Sequence, residues 1–81
     1  MKHIPVKFKS MRDGKNISQI ASKFDYPVYL ICGRYKVNAK SILGIFSLPN
    51  FDDVKIQVDT DDTEKIIEEL RKYELLDEKK W

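Results

Sequence analysis

The residues that can do chemistry are few: one histidine, His3, one cysteine, Cys32, and scattered serines, in 81 residues with fifteen basic and thirteen acidic side chains. No cluster has metal-ligand spacing, no nucleophile stands beside a base, and no glycine-rich run offers a phosphate cradle. The chain is therefore not expected to be an enzyme, to bind a metal or to use a cofactor. His3 opens an alternating stretch and reads as a surface side chain at the start of a strand. Cys32 lies inside an apolar run, where a small thiol fills a core, and a single cysteine forms no internal disulfide, as suits a cytoplasmic protein. Ser41 has a sharper role, because it precedes an apolar stretch of helical spacing, the position at which a serine hydroxyl caps a helix.

The elements that must hold these residues follow from periodicity. Ile4, Val6 and Phe8 alternate with Pro5, Lys7 and Lys9 in a half-buried strand over 3–9. Ile17, Ile20, Ala21 and Phe24 mark one face of a helix opened by Asn16 as N-cap, and Tyr26-Pro27 ends it. Val28 to Cys32 is a β-rich run, Gly33-Arg34 a tight turn, and Tyr35 to Asn38 a short return strand. Ser41 to Leu48 predicts a helix of about two turns, stopped by Pro49. Val54, Ile56 and Val58 alternate with Lys55, Gln57 and Asp59 in a fourth strand. Asp61, Asp62 and Glu64 crowd the start of a last helix, with Asp61 and Glu64 at capping-box spacing, and Ile66, Ile67, Leu70 and Tyr73 line its buried face. The tail from Asp77 to Trp81 is expected to fray.

The order β-α-β-β-α-β-α implies an α+β open-faced sandwich, a four-stranded antiparallel sheet with helices on one face. One domain, 1–81, accounts for the whole length. The net charge of +2 is too near balance for a dedicated nucleic-acid binder. No stretch has the length and apolarity of a membrane span or signal peptide, so neither nucleic acid nor membrane is an expected partner.

The segment Lys36-Val37-Asn38-Ala39-Lys40-Ser41-Ile42-Leu43-Gly44-Ile45-Phe46-Ser47-Leu48 resembles the signature of the HPr family, the histidine-containing phosphocarriers of the phosphoenolpyruvate-dependent sugar phosphotransferase system. Ala21-Ser22-Lys23-Phe24 resembles the end of the first HPr helix and lies at the family's spacing from Ser41. HPr proteins carry a glycine, an aliphatic residue, histidine, alanine, arginine and proline near their N-terminus, and that histidine takes phosphate from enzyme I and passes it to enzyme II. The gap-free register places Ser10 at the histidine, Met11 at the alanine, Arg12 at the arginine and Asp13 at the proline. Only Arg12 matches. A carrier needs a near-neutral nucleophile whose phosphoryl group moves on readily, which imidazole provides and a serine ester does not.

The resemblance further implies that Ser41 stands where a dedicated ATP-dependent kinase phosphorylates HPr proteins, beside its simple role as a cap. It implies that Ile42, Leu43 and Phe46 belong to the apolar patch with which HPr proteins dock enzyme I, enzyme II domains, the HPr kinase and a transcription regulator, unless they turn into the core. Arg12, Lys23 and Lys40 would form a basic rim. The expected function is a non-carrier regulatory or protein-binding domain. The alternatives are an active phosphocarrier with a nonstandard acceptor, Ser10 or His3, and a small nucleic-acid-binding module that uses Tyr29, Arg34, Tyr35 and Lys36.

Overall fold

Alternating side chains give each strand one apolar face, and antiparallel pairing lines these faces up. The computed structural model describes residues 2–81. The elements run β1 (Lys2–Pro5), α1 (Met11–Ser22), β2 (Val28–Cys32), β3 (Tyr35–Asn38), α2 (Ile42–Phe46), β4 (Val54–Val58) and α3 (Glu64–Lys72). The four strands form one antiparallel sheet in the order β1-β4-β2-β3. Gly33 makes the β2–β3 turn at φ 60°, a left-handed conformation that costs glycine nothing.

Register places Ile4, Ile56, Leu30 and Val37 in one row across the sheet. The first three are buried, as are Ile17, Ile20, Ile66 and Leu70 of the helices packed over them. Each such side chain contributes about 1.5–3 kcal/mol of transfer free energy. The next row, His3, Gln57, Tyr29 and Asn38, points to the opposite, open face. The expected open-faced sandwich is thus the observed one, with helices on one side of the sheet only.

Several local expectations are corrected. α1 starts at Met11 with Ser10 as its N-cap residue, and Asn16 lies within the helix. Ser10 C=O accepts from the N–H groups of Asp13 (3.1 Å) and Gly14 (3.4 Å). The first turn escapes the apolar pattern because its buried residue is Gly14, which has no side chain to reveal it. In α3 the helix begins at Glu64, too late for Asp61 to act as N-cap, so the capping box is not formed. Thr63 is the N-cap residue without a side-chain cap bond, and Asp62 Oδ1 instead accepts from Glu64 N at 3.3 Å.

Tyr73 leaves the buried face expected of it, since the helix ends one residue earlier and the residue is 42% exposed. Glu74 then turns the chain at φ 59° and delivers Leu75 and Leu76 to the core. The following tail is held rather than frayed. Val6 bridges to Leu76, Lys7 N donates to Leu75 O (2.7 Å), Asp77 N donates to Pro5 O (3.0 Å), and Trp81 N closes back onto Asp77 O (3.0 Å).

Candidate functional site

The face formed by α1 and α2 carries the residues singled out in the sequence. Gly14 makes the approach of these helices possible. A Cβ at that position would stand 2.9 Å from Phe8 Cζ, 3.1 Å from Ile45 Cγ2 and 3.2 Å from Phe46 Cε1. Ser18 Oγ adds a hydrogen bond to Lys40 O (3.3 Å) just before α2. With α2 seated in this way, Ile45 is buried, Phe46 is half-buried, Ile42 is 36% exposed and Leu43 is 80% exposed. The apolar patch is therefore centred on Leu43 and flanked by Ile42, while Phe46 spends part of its ring on α1. Met11, 57% exposed and one turn ahead of Gly14 on the same stripe of α1, is a further apolar side chain that the sequence reading did not include.

Ser41 is the N-cap residue of α2. Its backbone is extended, its N–H donates to Asn38 O (3.0 Å), its carbonyl accepts from Ile45 N (3.1 Å), and its Oγ accepts from Gly44 N (3.2 Å). The residue is exposed, so the hydroxyl both caps the helix and remains open to solvent. The first turn of α2 contains no acidic residue.

The basic residues around the patch have different surroundings. Lys40 is half-buried and its ammonium donates to Phe24 O at 2.7 Å, where the chain leaves α1. Lys23 forms an ion pair with Glu69 of α3. Arg12 is exposed, and it takes part in no ion pair among the described residues. The Lys23–Glu69 contact holds the Glu69 carboxyl below its ordinary pKa, chiefly through the hydrogen bond, and raises Lys23 for the same reason.

His3 lies elsewhere. It sits in β1 on the open face, where Nε2 is 3.1 Å from Gln57 Oε1. Ser10 is exposed at the start of α1, makes no side-chain cap bond, and has Asp13 one turn ahead, whose Oδ2 accepts from Lys9 N at 2.9 Å. Cys32 is buried as expected, with Sγ 3.3 Å from Asn50 Oδ1. The four residues of the nucleic-acid alternative are not brought onto one surface. Tyr29 and Lys36 share the open face, whereas Tyr35, opposite Cys32, belongs to the other side of the sheet and Arg34 to the turn. Among the described residues no group of His, Cys, Asp and Glu is placed to hold a metal ion, and no helix is long and apolar enough to cross a membrane.

Sheet order, the one-sided helical cover and a short serine-capped helix with an exposed apolar patch define an open-faced sandwich of the phosphocarrier type. A family model described as the PTS HPr component phosphorylation site matches residues 10–74. The chain belongs to the HPr family of the phosphotransferase system, a family of phosphocarriers rather than enzymes. A solved structure of HPr-C-His from Thermoanaerobacter tengcongensis is similar at 34% identity, with 89% of each chain covered and a TM-score of 0.70. Crh of Bacillus subtilis, a catabolite repression protein described as a dimer with a swapping domain, is 31% identical over 80% of this chain and 77% of its own, with a TM-score of 0.62. The histidine-containing phosphocarrier of a Mycoplasma shares the fold at 20% identity and a TM-score of 0.67, covering 94% of this chain and 97% of that one. No curated protein matches the sequence.

Proposed function

We propose that this HPr-family chain is a single cytoplasmic docking domain, 1–81, that regulates rather than carries: it binds partner proteins through the α1–α2 face and is switched by phosphorylation of Ser41. The observation that carries this reading is the place of the one histidine. His3 is engaged with Gln57 on the open face of the sheet, whereas at the start of α1, where the resemblance to the HPr signature sets the carrier histidine, the chain has Ser10, with the Asp13 carboxylate in the first turn. A dianionic phosphoryl group brought there meets like charge. The start of α2 is the reverse case, with a capping hydroxyl, no acid in the first turn, and Leu43 beside it for a partner to cover. A phosphoserine at that place adds acceptor oxygens and negative charge at the positive end of the helix and next to the docking patch, which changes the set of partners that fit. Kinship with Crh, whose description names catabolite repression, supports a regulatory role, with an HPr kinase and a transcription regulator as partners. Enzyme I and enzyme II domains are the partners expected of the carrier reading.

The test is intact mass after incubation with HPr kinase and ATP, and separately with enzyme I and phosphoenolpyruvate. A single acid-stable phosphate that is absent from Ser41→Ala supports the switch. Acid-labile phosphate transferred from enzyme I overturns the non-carrier reading and returns the chain to the phosphocarriers.

A further inference from the structure

The open face of the sheet has a charge pattern that the α1–α2 site does not use. All thirteen acidic residues of the chain lie in helices and loops, and none lies in a strand. The outward positions of the strands hold His3 and Pro5 of β1, Lys55 and Gln57 of β4, Tyr29 and Ile31 of β2, and Lys36 and Asn38 of β3. The carboxylates nearest in the chain, Asp53 and Asp59, flank β4 just before its start and just after its end, and Asp53 pairs with Lys80. Lys36 and Lys55 are exposed and enter no ion pair among the described residues, in contrast to Lys23 and Lys72 on the helical side, which both meet Glu69. Between the two lysines the register places Ile31, and beyond Lys55 it places Pro5, both half-buried.

A row that alternates half-buried apolar side chains with ammonium groups free of ion pairs among the described residues, Pro5, Lys55, Ile31 and Lys36, suits a partner that alternates apolar and acidic side chains. We propose that this open face is a second docking surface, independent of α2, for an acidic protein segment that lays apolar side chains on Pro5 and Ile31 and carboxylates on Lys36 and Lys55. The same groups argue against single-stranded nucleic acid. Base stacking needs open aromatic faces, and Tyr29, the one aromatic on this face, is already covered by Lys36, whose Nζ lies 4.3 Å from the ring centroid. A carboxylate, by contrast, can pair with that ammonium without displacing it from the ring.

The experiment is an amide NMR titration of the full chain with an acidic peptide of alternating glutamate and valine. Parallel titrations use oligothymidylate, phosphatidylglycerol vesicles and a lysine-valine peptide. The expected result is that the acidic peptide shifts amides of β2, β3 and β4, with affinity falling as salt rises. Lys36→Glu with Lys55→Glu should weaken it at least tenfold, and Leu43→Ala should leave it unchanged. The neutral pair Lys36→Gln with Lys55→Gln, expected to weaken binding at least threefold, keeps the test open if charge reversal unfolds the sheet. The proposal is overturned by absent shifts, by shifts confined to α1 and α2, by affinity that survives the lysine substitutions, or by tighter binding to oligothymidylate or vesicles than to the acidic peptide. None of these results bears on phosphorylation at Ser41, so the two readings stand or fall separately.

Discussion

Two helices of this protein begin at a serine with an extended backbone, and the two starts are built in opposite ways. At Ser41 the hydroxyl takes the Gly44 N–H and the first turn is uncharged. At Ser10 the hydroxyl takes no N–H of its helix, and the Asp13 carboxylate sits in the first turn and accepts from Lys9 N. Both solutions place negative or partly negative oxygen at the positive end of a helix. They differ in what they leave for a visitor: at α2 a phosphate can take over the work of a neutral hydroxyl, while at α1 it must compete with a fixed charge. The same structural device therefore leaves one helix start to a neutral hydroxyl and the other to a carboxylate, and the proposed switch at Ser41 rests on that contrast.

The largest expected effect comes from the seam between the first turn of α1 and the end of α2. Gly14→Ala should improve helix propensity by about 1 kcal/mol. Against this, the added methyl enters a space bounded by Phe8, Ile45 and Phe46, and overpacking of this kind costs about 1–3 kcal/mol. A net loss, read as a lower melting temperature together with amide shifts at Leu43 and Phe46, is the expected outcome. A stabilised variant would mean that α1 and α2 are not locked together.

Next in size is the contrast between the caps themselves. Ser41→Ala should destabilise the domain by about 1 kcal/mol, and Ser10→Ala should change it by less than about 0.5 kcal/mol. Equal losses in denaturant titrations would remove the difference on which the comparison rests.

The smallest effect lies at the far end of α1, where Lys23 pairs with Glu69. Because the folded-state pKa of Glu69 is lowered, its contribution is present above the ordinary glutamate value of 4.5 and is lost as pH falls through the lower folded value. The raised Lys23 contributes below its ordinary value of 10.5, and that contribution is lost as pH climbs through the higher folded value. Glu69→Gln should flatten the acid limb of a melting-temperature profile by a small amount. An unchanged acid limb would show that α1 is not tied down at this end.

Much of this was legible in the sequence, and the failures have a common physical form. The strand announced by alternation at Val54 to Val58, the strand announced by a β-rich run at Val28 to Cys32, and the serine-capped stretch after Ser41 stand where they were expected, because their signal is local. The first turn of α1 was invisible because its buried residue is a glycine, and the sequence therefore offered Asn16 as the cap. Leu75 and Leu76 were missed, and Tyr73 wrongly buried, because the left-handed turn at Glu74 and the bridge from Leu76 to Val6 depend on residues seventy positions apart. In the candidate site, the apolar patch around Leu43 came from the resemblance to the HPr signature, and the exposure of Leu43 agrees with it. The diversion of Lys40 to Phe24 O and of Lys23 to Glu69 was not, since only the packing of α1 against α2 and α3 brings those partners within reach.

The position of β1 at the sheet edge also sets an order of events. Its one strand partner among the described residues is β4, in a register that sets Lys2 opposite Val58 and Pro5 opposite Lys55, and the chain around its end is clasped by Leu75 and Asp77. At a synthesis rate of about 5–20 residues per second, the ribosome releases β1 several seconds before β4 emerges. Ile4, Val6 and Phe8 travel through that interval without β4 beside them, so the nascent chain carries this apolar segment uncovered, in reach of a chaperone, until β4 has been made.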